Sequence, residues 1–208
     1  MNSILTTPGD YKNLLAYHKA KCVFDGTNYF THRFYRAGDR TIGQMQQAAR
    51  SGKQNIIEGN VDGATSTYSN MHLLNIAMGS LDELKEDFED FLRVNGLQRW
   101  ELNSDKCIQA RNVCARHNEP EYYLNAFEKR SAETIANIMI VIIMQCIALT
   151  GRLLASRKKQ FLENGGKKEE LYKARVEYRK SQHYYTYETQ QQAHEPEISY
   201  GIQDELPF

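Results

Sequence analysis

The sequence predicts an all-α chain: an up-down four-helix bundle over residues 1–164, an additional C-terminal helix over 165–188 and a flexible acidic tail over 189–208. Three observations carry this prediction. Only 4 prolines and 13 glycines punctuate the 208 residues, too sparse for a sandwich or barrel, which turns about every 8 to 12 residues. Apolar side chains recur at steps of three and four in several long stretches, the repeat of a helix with one buried face. With 41% hydrophobic and 25% charged residues, the chain has the composition of a globular protein that closes a core. Its length suits one domain with an appendage, and two full enzyme domains do not fit.

Asp10, after Pro8-Gly9, is an N-cap in type, and Leu14, Leu15, His18, Cys22, Gly26 and Tyr29 follow at helical spacing toward Gly38. A second start at Asp39 leads into Met45, Ala48, Ala49, Gly52 and Ile56, with Gly59 as C′. The small residues of that stripe let a neighbouring backbone come close. From Thr65 or Ser66 the series Leu74, Ala77, Leu81, Leu84, Phe88, Phe91 alternates three and four and stops at Asn95-Gly96, the signature of bundle packing. Residues 97–119 are an irregular connector with a short helix from Ser104 to His117. Asn118-Glu119-Pro120-Glu121 then opens a fourth helix with no evident stop before Asn164-Gly165-Gly166.

Within this last helix the seven residues from Ile138 to Met144 are apolar on every face. The run falls short of the roughly 20 residues of a bilayer span, so no membrane segment is expected. A helix apolar all round must be covered all round, and the surplus predicts either a second protomer or the connector as its cover. Homo-oligomerisation is the favoured expectation.

Zero net charge conceals blocks: +4 over residues 1–60, −4 over 61–120, +5 over 121–180 and −5 over 181–208. Polyanion binding responds to such local clusters, so neutrality does not exclude a nucleic-acid partner. The four cysteines (Cys22, Cys107, Cys114, Cys146) are scattered through helical patterns, which predicts buried free thiols in a reducing compartment. With no basic region and apolar run at the amino terminus, a cytoplasmic protein is expected.

Two stretches are candidates for phosphate contact. On the second helix Gln46, Gln47, Arg50, Lys53 and Gln54 oppose the small apolar stripe, as a solvated face or as one that meets phosphates without reading bases. Asn55 and Glu58 are candidate bonds to a neighbouring helix. Residues 152–180 hold ten basic against four acidic side chains, including Arg157, Lys158, Lys159, Lys167, Lys168, Arg175, Arg179 and Lys180. Tyr172, Tyr178, Tyr184, Tyr185 and Tyr187 lie within or just beyond it. Cations interleaved with aromatics neutralise phosphates and stack bases of a single strand, and the same tyrosines equally suit packing on the bundle. Cys107, Cys114 and His117 have no CxxC pair or fourth ligand, so no metal is expected. Neither a phosphate-cradling glycine loop nor a nucleophile elbow nor HExxH occurs, and the acidic face of the third helix (Asp82, Glu83, Glu86, Asp87, Glu89, Asp90) reads as solvated. No enzyme and no cofactor are expected.

The stretch from Gln44 to Gly59 (QMQQAARSGKQNIIEG), followed by LNIAMGSLDEL from Leu74 to Leu84, resembles the four-helix-bundle family encoded by intervening sequences in large-subunit ribosomal RNA genes. That family includes proteins similar to the accessory variability determinant of diversity-generating retroelements. The resemblance spans roughly residues 10–160 and implies an up-down bundle assembled as a pentameric ring. Residues 161–208 look like the suffix domain of a bacterial variant. The retroelement member is strongly basic and is thought to bind nucleic acid and a reverse transcriptase, whereas this chain is neutral with an acidic third helix.

The last residues, Asp204, Glu205, Leu206, Pro207 and Phe208, are similar to the carboxyl-terminal tip of bacterial single-stranded DNA-binding proteins. That likeness implies a Phe208 ring in an apolar pocket of a repair or replication enzyme, with the chain carboxylate on a basic residue. Gln203 stands where acidic residues often continue. The sequence thus predicts a non-enzymatic, ring-forming adaptor that binds single-stranded DNA or RNA weakly and recruits DNA-processing proteins through its tip. Its alternatives are a pure protein-interaction scaffold or decoy, and an accessory partner of a reverse transcriptase.

Overall fold

The computed structural model describes residues 11–60, 67–165, 169 and 172–181. The protein is all-α, and no strand occurs among the described residues. It divides into two units, residues 1–164 and 165–208. In the first, a short 3-10 turn at Tyr11–Asn13 precedes α1 (Leu15–Phe34), α2 (Arg40–Glu58), α3 (Thr67–Val94), α4 (Asp105–Arg116), α5 (Pro120–Phe127) and α6 (Ala132–Asn164). Helices α1 and α3 each pack against both α2 and α6, which closes a ring of four around the core. Helix α4 lies on α6 and α5 on α1. In the second unit residues 172–181 are helical.

Helices α2 and α3 follow the sequence closely. The Asp39 carboxylate accepts from the Thr41 N–H at 2.9 Å and caps α2. The buried residues of α2 are the predicted Met45, Ala48, Ala49, Gly52 and Ile56. A Cβ on Gly52 would stand 2.9 Å from Leu81, so hydrogen at this position sets how closely α2 and α3 approach. Leu74, Ala77, Leu81, Leu84 and Phe88 are fully buried, and half-buried Phe91 meets the Phe30 ring edge-on at 4.8 Å. At the end of α3 Gly96 has φ +66°. The Leu97 N–H returns to Leu92 O at 2.8 Å and the Gly96 N–H to Arg93 O at 3.2 Å, the paired bonds of a Schellman stop.

Four expectations are corrected. Helix α1 begins at Leu15 and ends at Phe34, because Tyr35 turns extended and sets its ring against Phe30 and Phe91; the predicted cap Asp10 lies outside the described residues. The α1 stripe is rotated, with Leu15 56% exposed and Lys19 only 1%. Gly59 ends α2 as expected, but as its cap residue in the right-handed region, φ −68°, and a Cβ there would stand 2.9 Å from Asn55 O and 3.0 Å from Asn70 O. Close approach to backbone explains the glycine. The predicted fourth helix is two, α5 and α6. Arg33 donates to Phe127 O at 2.8 Å and Glu128 O at 3.3 Å, taking up carbonyls at the end of α5, and the Ser131 hydroxyl accepts from the Thr134 N–H at 3.3 Å to start α6 afresh.

The apolar run of α6 is largely covered within the chain. Met139, Ile142 and Ile143 are fully buried and Ile140 and Val141 nearly so, with α4 packed on this helix, while Ile138 is half-buried and Met144 is 37% exposed. Asn137, buried in α6, pins the connector there: its Oδ1 accepts from the Trp100 N–H at 2.7 Å and its Nδ2 donates to Gln98 O at 2.9 Å. The connector and α4 thus cover part of the apolar surplus. By length and composition α6 is long and apolar enough to cross a membrane, more so than the seven-residue run suggests, since apolar residues continue past Gln145.

Candidate functional site

On α2 the predicted polar face divides. Arg50 and Gln47 are exposed, but Gln46 is half-buried and donates to the buried Thr31 hydroxyl at 3.2 Å. The Lys53 ammonium sits 3.7 Å from the centre of the Phe24 ring, a cation–π contact on α1. Burial lowers the pKa of Lys53 and raises that of the nearby Asp25, each opposed by the charge of the other. Asn55 does not reach a neighbouring helix; it donates to Ser51 O at 2.9 Å in its own, while Glu58 is exposed. The polar link from α2 to α3 is Ser51 to Ser80 at 2.9 Å. Most of the motif thus holds α2 against α1 and α3, leaving Arg50 as its outward cation.

At the end of α6 Lys158 and Lys159 are exposed, Lys159 within 3.7 Å of Glu163. Arg157 is half-buried and donates to Asn60 Oδ1 at 2.7 Å, tying α6 to the end of α2. In helix 172–181 Tyr172 and Tyr178 are 69% and 65% exposed, and Lys173, Arg175, Arg179 and Lys180 are exposed. Helical spacing sets Tyr172, Arg175, Tyr178 and Arg179 on one face, two guanidinium groups between two phenol rings. Lys167, Lys168, Tyr184, Tyr185 and residues 204–208 lie outside the described residues.

Sequence reasoning missed the arrangement around α4 and α5. Lys19 of α1 donates to Cys114 O and to His117 O at 2.8 Å, closing the C-terminal end of α4 with a cation, and the Tyr123 hydroxyl donates to the same two carbonyls at 3.3 and 2.7 Å. Burial lowers the pKa of Lys19, opposed by the thiols of Cys22, Cys114 and Cys146; burial also pushes the Tyr123 phenol well above its usual range. In front of Tyr123 opens a cleft of about 350 Å³. Its aromatic lining is Trp100, Tyr122, Tyr123 and Phe127, and exposed Lys106 and Arg130 stand at its margin. Tyr122 lies flat on His117, ring centres 3.6 Å apart and planes 1° apart. The Trp100 and Tyr122-Tyr123 aromatics in a stretch without periodicity were the available signal. A buried lysine on α1 had none.

Asp82, Glu83, Glu86 and Asp90 on the acidic face of α3 are exposed, and part of the face is paired with basic side chains. Lys85 meets Asp82 and Glu86, Arg93 meets Asp90, and Glu89 accepts from Arg99 at 2.6 Å. Burial raises the pKa of Asp87, with Asp90 and Glu83 adding to it. All four cysteines are buried free thiols; burial pushes Cys22 and Cys146 up to about 12. Among the described residues no three His, Cys, Asp or Glu side chains are grouped as metal ligands would be. No family model, curated protein or solved structure matches the chain.

Proposed function

We propose that the protein is a non-catalytic, cytoplasmic helical adaptor that binds single-stranded nucleic acid and recruits DNA-processing proteins. The observation that carries the reading is the exposed face of helix 172–181, where Arg175 and Arg179 lie between Tyr172 and Tyr178. Guanidinium groups neutralise successive phosphates while phenol rings stack on bases, and neither needs a particular sequence. Lys158 and Lys159 at the end of α6 add sequence-independent charge, as does Arg50 on α2. Residues 204–208 are assigned to partner recruitment on their likeness to the tip of single-stranded DNA-binding proteins.

The ring of α1, α2, α3 and α6 is read as the four-helix bundle of the ribosomal RNA intervening-sequence family. Assembly as a pentamer belongs to that reading on the resemblance alone, since α4 supplies a cover for the apolar run of α6. Sedimentation at micromolar concentration tests it, a stable monomer counting against.

Fluorescence anisotropy with an unstructured oligothymidylate tests strand binding. Affinity falls steeply with salt, and Arg175→Gln with Arg179→Gln flattens the slope by about 1 to 2 in log–log units. Tyr172→Ala with Tyr178→Ala weakens binding by about 1–3 kcal/mol per lost stack at unchanged slope. Salt-independent binding, or none at low salt, removes the nucleic-acid half of the proposal and leaves a protein-interaction scaffold. For that half, Phe208→Ala abolishes client capture in nuclease-treated extract while the helical fold stays intact.

A further inference from the structure

The cleft beside α4 has the chemistry of a nucleotide site, and we propose that it binds one nucleotide, with the base against its aromatic lining and the phosphate on Lys106 and Arg130. The volume of about 350 Å³ falls in the range of small-molecule sites, roughly 300–1,000 Å³. The ring faces open to a planar ligand are those of half-buried Trp100, from the connector, and exposed Tyr122, from α5, so aromatic side chains reach the cleft from separate segments, while Tyr123 and Phe127 are buried at its wall. They are also fixed in place: the Trp100 backbone is held by Asn137, Tyr122 is stacked on His117, and the Tyr123 hydroxyl is anchored on two carbonyls shared with Lys19. A site whose walls are already ordered loses less freedom when a ligand arrives.

The charge around the cleft selects an anion. Lys106, in the first turn of α4, and Arg130, in the turn between α5 and α6, both line it and both are exposed. No carboxylate lines the cleft, and among the described residues neither cation has a salt-bridge partner. Two cations from separate elements suit a phosphate with several acceptor oxygens better than a single carboxylate. Gln109, exposed on α4, and Thr134 offer both donors and acceptors to the edge of a base. The cleft belongs to residues 1–164, so its ligand and the strand-binding face of helix 172–181 are separable.

Trp100 is the chain's single tryptophan, which makes its emission a direct report on the cleft. Titration of the full chain with AMP quenches that emission, and adenosine binds at least about tenfold more weakly for want of the phosphate. Lys106→Gln and Arg130→Gln, both exposed positions, each weaken AMP about tenfold with an unchanged circular dichroism spectrum. A short 5′-phosphorylated oligoadenylate distinguishes the sources: competition with AMP identifies the end of a strand as a ligand, and failure to compete restricts the site to free nucleotides. Three results overturn the proposal: no quenching by millimolar AMP, equal affinity for AMP and adenosine, or benzoate binding as tightly as AMP. Loss of strand binding in Arg175→Gln leaves the AMP titration unaltered, so the two readings fail separately.

Discussion

The ring of α1, α2, α3 and α6 and the α4–α5 segment that lies on it are held by different physics. In the ring the interior is chiefly apolar, with the Gln46–Thr31 and Ser51–Ser80 bonds as polar links: Phe30 packs on Phe88 and Phe91 at 4.9 and 4.8 Å, and Leu81 and Leu84 are fully buried. Across the second interface specific polar groups cross from one element to another. Lys19 and Tyr123 close the end of α4, Asn137 holds the connector, and Gln145 donates to Arg111 O at 2.9 Å. Apolar packing tolerates a change of shape at graded cost, whereas a buried polar bond fails outright when one partner is removed. The ring thus supplies stability, and the α4–α5 segment supplies a shaped cleft.

Breaking the ring has the largest effect. Phe88→Ala removes a fully buried ring from the Phe30 cluster and lowers stability by about 3–5 kcal/mol, read as a lower urea midpoint at unchanged slope. Lys19→Met acts on the other interface. It keeps most of the side-chain volume but strips a donor from Cys114 O and His117 O, at a cost of about 1–3 kcal/mol. Hydrogen exchange locates the damage: amides of α4 and α5 lose protection while those of α2 and α3 keep theirs. Equal loss throughout would show that the two regions unfold as one.

This contrast also explains what was legible in the sequence. The stripes of α2 and α3 could be read residue by residue because apolar burial repeats with the helix, and the start at Asp39 and the stop at Gly96 depend on local chemistry. Lys19 was not legible, since a buried cation is defined by carbonyls about a hundred positions away. The division between α5 and α6 was half legible: Ser131 is a cap residue in type, but Arg33 at the end of α5 is a tertiary partner. Of the candidate binding residues, the exposure of Arg50 followed from helical spacing. The partial withdrawal of Lys53 and Arg157 into interhelical contacts did not.

Titration separates the two interfaces at high pH. Cys146, buried in the ring beside Ala16 O, is pushed from the ordinary 9.0 up to about 12. A raised folded-state value means that its contribution is fully present below pH 9 and is lost as pH rises from 9 toward 12. Between pH 8 and pH 10 the stability of the wild type relative to Cys146→Ala should fall by about 1.4 kcal/mol, one unit beyond the unfolded value. Lys19 has the opposite sign. Its pKa is lowered by burial, so the penalty on its charge disappears as pH approaches 10.5, and its contribution rises. Urea titrations at the two pH values check both, and Lys19→Met should steepen the alkaline loss.

The smallest effect distinguishes two cations on one helix. Lys53 and Arg50 both belong to the polar side of α2, and composition alone gives no reason to treat them differently. Yet Lys53 lies over Phe24 with its charge partly desolvated, while Arg50 faces outward. A cation–π contact of this kind contributes about 0.5–1 kcal/mol at a partly open site, whereas an exposed charge away from such features changes stability by less than about 0.5 kcal/mol. Lys53→Met should therefore lower the urea midpoint measurably, and Arg50→Met should not. On the proposed strand-binding reading the order reverses, because of the two cations Arg50 is the exposed one and a phosphate contact releases a counterion. If Arg50→Met instead destabilises the fold and leaves the salt dependence of binding unchanged, the whole motif is an interhelical device and α2 has no part in nucleic-acid contact. If Lys53→Met reduces the salt slope as much as Arg50→Met, the lysine leaves Phe24 when a strand is bound, and the contact on α1 is a resting place for a binding residue.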